Sequence, residues 1–335
     1  MSVTKIAIVG CGKQARKHIA GYYKRGNVDL VLADDVSSVA RSLAEDTGCR
    51  WVDDVEDIFS DSSIQAVDIC TPTASHAPLI EKTLHAGKDF FCEKPLCATA
   101  EEGRRLLALT RDSGRIGFTG FVYRSHPVFG LARSIVGEGR TTGVSPVLGK
   151  LICATMRIGG RGSHALWKHM KASDGGVINE MLVHMLDLAV WYFGPLRNPR
   201  LLMGEQFQPS RTIQGRSEAV DAEDFVIMRV EGASGVPIII QADFITPAFT
   251  QVCEIQGENG SFMGSIQRDM PSFVHCNEAR DGYAAGRTDL DFGAVNVFER
   301  QMAHFVDIVG HRKQDERGRI EDAVHVMEIV DTIRT

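Results

Sequence analysis

The chain has no C-x-x-C pair: its eight cysteines, Cys11, Cys49, Cys70, Cys92, Cys97, Cys153, Cys253 and Cys276, are dispersed. Neither a zinc cluster nor a thioredoxin-type redox site is indicated. Cys70, Cys92, Cys153 and Cys253 fall in apolar, strand-like runs, where a free thiol behaves as a small hydrophobe, and such thiols suit a reducing compartment. H-E-x-x-H is also absent, so no metal is expected. Positive charge is in deficit, with 37 Lys and Arg against 43 Asp and Glu, a net of -6. That balance argues against a general nucleic-acid binder. No apolar run approaches the length of a membrane span. The opening Met1-Ser2-Val3-Thr4-Lys5 holds too few apolar residues for a leader and runs straight into a glycine loop. The expectation is a soluble, cytoplasmic protein with neither membrane nor nucleic-acid partner. Its 335 residues are enough for two domains, each with its own core.

The first third alternates strands and helices. Lys5–Val9 is a short β-rich run, followed at once by Gly10-Cys11-Gly12-Lys13-Gln14-Ala15 and a helix to about Arg25. This is the G-x-G-x-x-G/A pattern between a strand and a helix, the context that dinucleotide binding requires. The first glycine permits the tight turn, the second lets backbone approach a pyrophosphate, and Ala15 allows close helix–strand packing. A second strand, Asp29–Ala33, ends in Asp34, 24 residues beyond Gly10. An acid near that offset binds the ribose hydroxyls and repels a 2′-phosphate, which favours NAD over NADP. The plainer reading is that Asp34-Asp35 caps the next helix.

Strand Ala66–Cys70 leads into Thr71-Pro72-Thr73-Ala74-Ser75-His76, and strand Asp89–Cys92 into Glu93-Lys94-Pro95. Both turns lie at carboxyl ends of parallel strands, where open α/β sheets place their ligands. Lys94 is therefore expected in the cofactor crevice, able to stabilise negative charge developing on a substrate oxygen. A helix over 100–111 and a strand over 116–121 complete this unit, which divides the chain into residues 1–122 and 123–335.

In the second part, Arg157 introduces a glycine-rich, basic segment holding Arg161, Ser163, His164, Trp167, Lys168 and Lys171. In an acidic protein, such a loop suits an anionic ligand such as a diphosphate. Val177–Phe193 reads as an almost wholly apolar helix ended by Gly194-Pro195. Its few polar members include Asn179, and Glu180, His184 and Asp187 at i, i+4 and i+7 share one face. Buried ionisable groups are costly unless paired or functional, so His184 is a candidate acid/base oriented by Glu180 or Asp187. The rest turns strand-rich, with turns at 232–235 and 257–260, as in an antiparallel meander. An open sheet face there implies a homo-dimer or homo-tetramer. Two closing helices over 295–309 and 320–333 carry no identifiable chemistry.

With Gly10–Ala15, Thr71-Pro72…His76, Ala86-Gly87-Lys88…Glu93-Lys94-Pro95 and Gly175-Gly176…Glu180…His184…Asp187 in hand, the chain resembles the GFO/IDH/MocA oxidoreductase family over essentially its whole length. The resemblance implies an α/β architecture: an N-terminal Rossmann domain and a C-terminal α+β domain with a large, mostly antiparallel open sheet. It further implies hydride transfer between NAD(P) and a secondary hydroxyl of a sugar, cyclitol or nucleotide sugar. Lys94 and His184 would flank the reacting carbon, with Glu180 as their catalytic partner. Cofactor contacts are expected from Gly10, Cys11, Gly12, Lys13, Gln14, Ala15, Asp34, Thr71, Pro72, Thr73, His76, Glu93 and Lys94. Substrate contacts are expected from Lys94, Arg124, Arg157, Trp167, Lys168, Asn179 and His184. The chain departs from the family pattern at Thr73, which stands for the usual Asn, at Glu180 for Asp, and at Leu182 for Gly. The basic loop points to a nucleotide sugar, in its sharpest form UDP-N-acetylglucosamine oxidised at C3. Inositol or free-sugar oxidation, and a non-catalytic NAD-binding regulator on the same fold, are the alternatives.

Overall fold

A computed structural model describes residues 3–162 and 165–334. It divides into two compact units, Met1–Ser125 with Asn296–Met327, and His126–Val295 with Glu328–Thr335.

The first unit is a parallel sheet of six strands: β1 (Thr4–Val9), β2 (Val28–Ala33), β3 (Arg50–Trp51), β4 (Ala66–Ile69), β5 (Asp89–Cys92) and β6 (Gly117–Thr119). Their order is β3-β2-β1-β4-β5-β6, the doubly wound arrangement, which reverses direction beside β1. β4 and β5 are buried throughout, as strands covered on both faces must be. The helices are α1 (Lys13–Arg25), α2 (Ser37–Thr47), α3 (Glu56–Ser60), α4 (His76–His85) and α5 (Ala100–Ser113). Of the six strands, only the two-residue β3 was not expected from the sequence.

The single crossing expected at residue 122 is corrected by the end of the chain. The chain closes with two further helices, α9 (Val297–His311) and α10 (Ile320–Arg334). α9 and the first half of α10 belong with the Rossmann sheet. Met302, Phe305, Val306, Ile308 and Val309 join the core formed by Ile6, Ile8, Ile19 and Tyr22. A Cβ on Gly21 of α1 would sit 2.9 Å from Met302 Cγ, so that glycine is what lets α1 and α9 approach. Arg312 also reaches back to pair with buried Asp89. The apolar stripe of α9 therefore completes the first core instead of covering the second sheet.

Arg124 lies at this junction. Expected to touch substrate, its guanidinium is instead buried and ion-paired with Asp322 of α10 at 2.8 Å. The second correction is thus that Arg124 fastens the returning helix to the first unit.

The second unit is built on a nine-stranded, mostly antiparallel sheet. Its strands are β7 (Val144–Ser145), β8 (Gly149–Gly159), β9 (Arg197–Glu205), β12 (Phe225–Glu231), β13 (Pro237–Asp243), β14 (Thr250–Gly257), β15 (Gly260–Gly264), β16 (Phe273–Cys276) and β17 (Gly286–Asp289). A separate hairpin, β10 (Ser210–Ile213) and β11 (Arg216–Ala219), turns on Gln214-Gly215, both at positive φ. β8 and β13 pair in parallel, and every other recorded pairing in this sheet is antiparallel. The helices are α6 (Pro127–Val136), α7 (Gly139–Thr142) and α8 (Val183–Phe193). α8 packs on β8 and β13 and α6 on β15, while Ile152, Ile239 and Leu201 stay exposed.

Removing one partner of a buried ion pair strands the other, at a cost of about 3–5 kcal/mol. Arg124→Ala is expected to lower the unfolding free energy by about that amount while leaving NADH affinity within about threefold. Denaturant melts and NADH fluorescence titration separate the two effects. Intact stability with lost function would restore Arg124 as a ligand contact.

Candidate active site

The first unit gathers the glycine loop, Asp34, the Thr71 turn and the Glu93-Lys94 turn at the carboxyl ends of β1, β2, β4 and β5. Gly10 adopts φ +91°, and a Cβ there would lie 2.7 Å from Thr71 Cγ2 and 2.9 Å from the Cys70 carbonyl carbon. Two turns thus meet at a position only glycine can fill. Gly12 has open space where its Cβ would be and no side chain capping the helix it begins. Its surroundings leave backbone exposed for a diphosphate at the α1 N-terminus. Ala15 is buried against the sheet, Lys13 is exposed and Gln14 half-buried. The Thr71 hydroxyl oxygen is shielded and has no hydrogen-bond partner in the protein, a group set to receive one from a ligand. This cradle fits NAD, whose nicotinamide supplies the hydride acceptor or donor.

Asp34 Oδ2 accepts the Cys11 N–H at 2.7 Å and Oδ1 the Val36 N–H at 3.1 Å. The carboxylate therefore braces the glycine loop as well as ending β2. Burial raises its pKa against the pull of those two donors. Cys11 itself is a buried thiol, pushed up to about 12 chiefly by burial and then by Asp34, so it packs and does not react.

Two residues expected at the cofactor turn inward. His76 is buried with Nδ1 2.8 Å from the Pro95 carbonyl and Nε2 2.9 Å from the Thr71 carbonyl. It clamps the Thr71 turn to the Lys94-Pro95 turn, whose peptide bond is cis. Burial lowers its pKa. Glu93 is buried too. Its Oε1 accepts from Gln14 Nε2 at 2.9 Å and from His18 Nε2 at 3.0 Å, and its Oε2 from the Lys94 N–H at 3.1 Å. Burial alone would raise Glu93, but the bonds from His18 and Gln14 outweigh it and hold the acid at about 2. Pro72 and Thr73 lie at the start of the turn into α4, exposed and half-buried respectively. Lys94, which follows on this fixed backbone, is half-buried.

Sequence reasoning missed His18. It stands on α1 one turn after Gln14 and one before Tyr22, so Gln14, His18 and Tyr22 form a polar stripe on the helix face that meets the sheet. That i, i+4, i+8 stripe is the signal that could have found it. Its Nδ1 lies 2.9 Å from Asp68 Oδ2, which also accepts the Tyr22 hydroxyl at 2.9 Å. Cys70 Sγ lies 3.3 Å from the same nitrogen. Among the described residues, His18, Asp68 and Cys70 are the one set of metal-ligating atoms within 4.8 Å of one another, and here they are joined directly by hydrogen bonds.

In the second unit the uniform helix expected over 177–193 is interrupted. Ile178–Leu182 forms a π-helical turn, and α8 begins at Val183. The cause lies outside the segment: Glu223 Oε1 accepts the Ile178 N–H, and the Glu223 backbone carbonyl accepts the Val177 N–H. Gly176, at φ +109°, leaves room for that carboxylate, which a Cβ would strike. Wide turns of this kind recur at functional sites. Within it, Glu180 Oε2 pairs with Lys168 Nζ at 2.5 Å. Glu180 is thus engaged by Lys168. Asn179 is buried and donates to the Asp174 carbonyl at 2.7 Å. His184, half-buried, occupies the first turn of α8, and Asp187 is buried one turn further on.

The basic segment is less basic in space than in sequence. Arg157 lies 3.7 Å from buried Asp243 and donates to Thr246 Oγ1 at 3.0 Å. Lys168 is taken by Glu180 and lies 5.0 Å from the ring centre of exposed Trp167. Ser163 and His164 lie outside the described residues.

A dinucleotide cradle on a doubly wound sheet, followed by a second unit with an open sheet, defines an NAD-dependent oxidoreductase. The family profile described as "Oxidoreductase family, NAD-binding Rossmann fold" matches residues 4–121, and the GFO/IDH/MocA C-terminal domain matches residues 145–263. The chain belongs to the GFO/IDH/MocA oxidoreductase family. It is 29% identical to inositol 2-dehydrogenase of Rhizobium meliloti (strain 1021) over 79% of this chain and 76% of that protein. It is 27% identical to dTDP-3,4-didehydro-2,6-dideoxy-alpha-D-glucose 3-reductase of Streptomyces violaceoruber, over 98% and 94%. In fold it is similar to levoglucosan dehydrogenase solved with NADH and L-sorbose, at TM-score 0.87 and 20% identity, over 100% and 96% of the two chains.

Gly10→Ala forces a side chain into a positive-φ turn and against Thr71, a strain of about 1–3 kcal/mol. The expected result is an NADH dissociation constant raised at least about tenfold, with a lowered Tm. Unchanged affinity by fluorescence titration would contradict the cradle.

Proposed function

We propose that the protein transfers hydride between NAD and a secondary hydroxyl or ketone of a neutral sugar or cyclitol, with Lys94 and His184 at the reacting carbon. The observation that carries this reading is the Glu93-Lys94 turn: a backbone fixed by Glu93 and His76 at the carboxyl end of β5. In oxidation, His184 takes the hydroxyl proton and Lys94 donates a hydrogen bond to the oxygen as it gains negative charge. In reduction, His184 returns the proton to the same oxygen. Glu180 pairs with Lys168 and shapes the substrate side. Asp34 binds the ribose hydroxyls and sets the preference for NAD.

Neutrality of the substrate follows from charge pairing. Arg157 and Lys168, two of the cations that would greet a diphosphate, already face Asp243 and Glu180. Trp167 offers an exposed ring on which a sugar face can stack. The names of the inositol, glucoside and levoglucosan dehydrogenases among its relatives agree with this class. A nucleotide sugar is the second reading. It is supported by exposed Arg161 and Lys171 and by the dTDP-sugar reductase that aligns over 98% of the chain. Self-association through the open sheet face, where Ile152 and Ile239 are exposed, belongs to the same proposal.

Absorbance at 340 nm, followed with NAD and a ketone trap over inositols, D-glucosides, levoglucosan and UDP- and dTDP-sugars, tests the substrate class. Neutral compounds are expected to respond; a signal confined to nucleotide sugars would select the second reading. Lys94→Ala and His184→Ala are each expected to lower kcat by about 10²–10⁴-fold with NADH affinity retained. If His184→Ala stayed within a few-fold of wild type, the base would be Lys94. Asp34→Ala is expected to narrow the gap between NADH and NADPH affinities, and an unchanged ratio would remove Asp34 from the ribose.

A further inference from the structure

We infer that His18, absent from every cofactor and substrate contact considered above, is a positioning residue for Lys94, and that it acts through Glu93. The inference rests on the reading of Lys94 as the residue that meets the reacting oxygen. His18 is fully buried on α1, and each ring nitrogen faces a carboxylate, Asp68 Oδ2 at 2.9 Å and Glu93 Oε1 at 3.0 Å. A deprotonated carboxylate has no hydrogen to give, so both ring nitrogens donate and the ring is an imidazolium. Phe91 meets it edge-on at 5.2 Å and Phe298 lies 5.9 Å away, which fixes the ring plane. The direction of its titration agrees: burial would lower His18, yet Asp68 and Cys70 hold it well above its ordinary value.

The consequence lies at Glu93. Its two oxygens face different ways, Oε1 toward Gln14 and His18 on the cofactor helix and Oε2 toward the Lys94 N–H. A carboxylate at the end of a strand has rotational freedom about its own bonds. Here the imidazolium and the amide lock one oxygen, and that leaves the other aimed at the lysine backbone. Asp68 in turn holds the imidazolium, and Tyr22 holds Asp68. The chain of contacts Tyr22–Asp68–His18–Glu93–Lys94 therefore joins the helix that starts at the glycine loop to the lysine turn. Catalytic groups must be held within a fraction of an ångström, and misplacement by about 1 Å can cost about a hundredfold in rate.

The test is a double-mutant cycle. His18→Gln keeps one donor and loses the cation and the second bond. In the Lys94 background it is expected to lower kcat about 10- to 100-fold, with NADH dissociation constant and KM each within about threefold. The probe is whichever of myo-inositol, methyl D-glucoside or levoglucosan the wild type oxidises fastest with NAD. In the Lys94→Ala background the same change is expected to cost less than about threefold, because the group through which it acts is gone. Equal losses in both backgrounds, or a loss confined to NADH affinity, overturn the inference. Asp68→Asn, which reaches Lys94 only through His18, repeats the cycle if His18→Gln does not fold. Should Lys94→Ala alone leave kcat within threefold, the functional reading fails and the inference is read without turnover. Acetylation of Lys94 by acetic anhydride, followed by peptide mass spectrometry on the NADH-bound protein, must then change at least about threefold in His18→Gln; an unchanged rate overturns it.

Discussion

The site in the first unit depends on one buried charge arrangement: an imidazolium between two carboxylates, where only one of the three charged groups reaches any solvent. Leaving either acid unpaired in such surroundings is costly, because desolvation of a lone ion outweighs what remains of its hydrogen bonding. The three groups come from α1, β4 and β5, so their pairing requires those elements to be in register. Glu93 is then available as a backbone brace and His76 as a second brace on the Lys94-Pro95 turn. The glycine loop shares this support through Gln14.

In the second unit the comparable constraint is Glu223. It draws the backbone of residues 177–178 into its own hydrogen bonds at the start of the π-helical turn that carries Glu180. Glu180, a glutamate where the family usually has aspartate, finds a lysine partner in Lys168. In the segment that reads as a cationic loop in one dimension, two of the cations, Arg157 and Lys168, are paired in three.

What could be read from the sequence was local. Gly10 and Gly12 announce a phosphate turn because backbone strain and close approach act within a few residues. The Glu93-Lys94-Pro95 turn follows its strand by the rule that ligands gather at carboxyl ends. The open, mostly antiparallel second sheet was legible from the turn signals between strand-like runs and from the resemblance. The missed features are those whose cause is remote in sequence. His18 needs Asp68 and Glu93, 50 and 75 residues away. The π-helical turn needs Glu223, 45 residues away. Arg124 looks like a site arginine until Asp322, 198 residues on, takes it. α9 is amphipathic in sequence, but nothing local says that its apolar stripe meets Met302 to Gly21 of the first unit and not the second sheet.

The chemistry proposed here asks Lys94 and His184 to converge on a single oxygen. A crystal structure of the protein with NADH and the neutral sugar or cyclitol it turns over measures that convergence directly. The account predicts Lys94 Nζ and one His184 ring nitrogen each within about 2.6–3.2 Å of the oxygen on the reacting carbon. A complex in which that oxygen is held by other groups, with either side chain beyond hydrogen-bond reach, would contradict it.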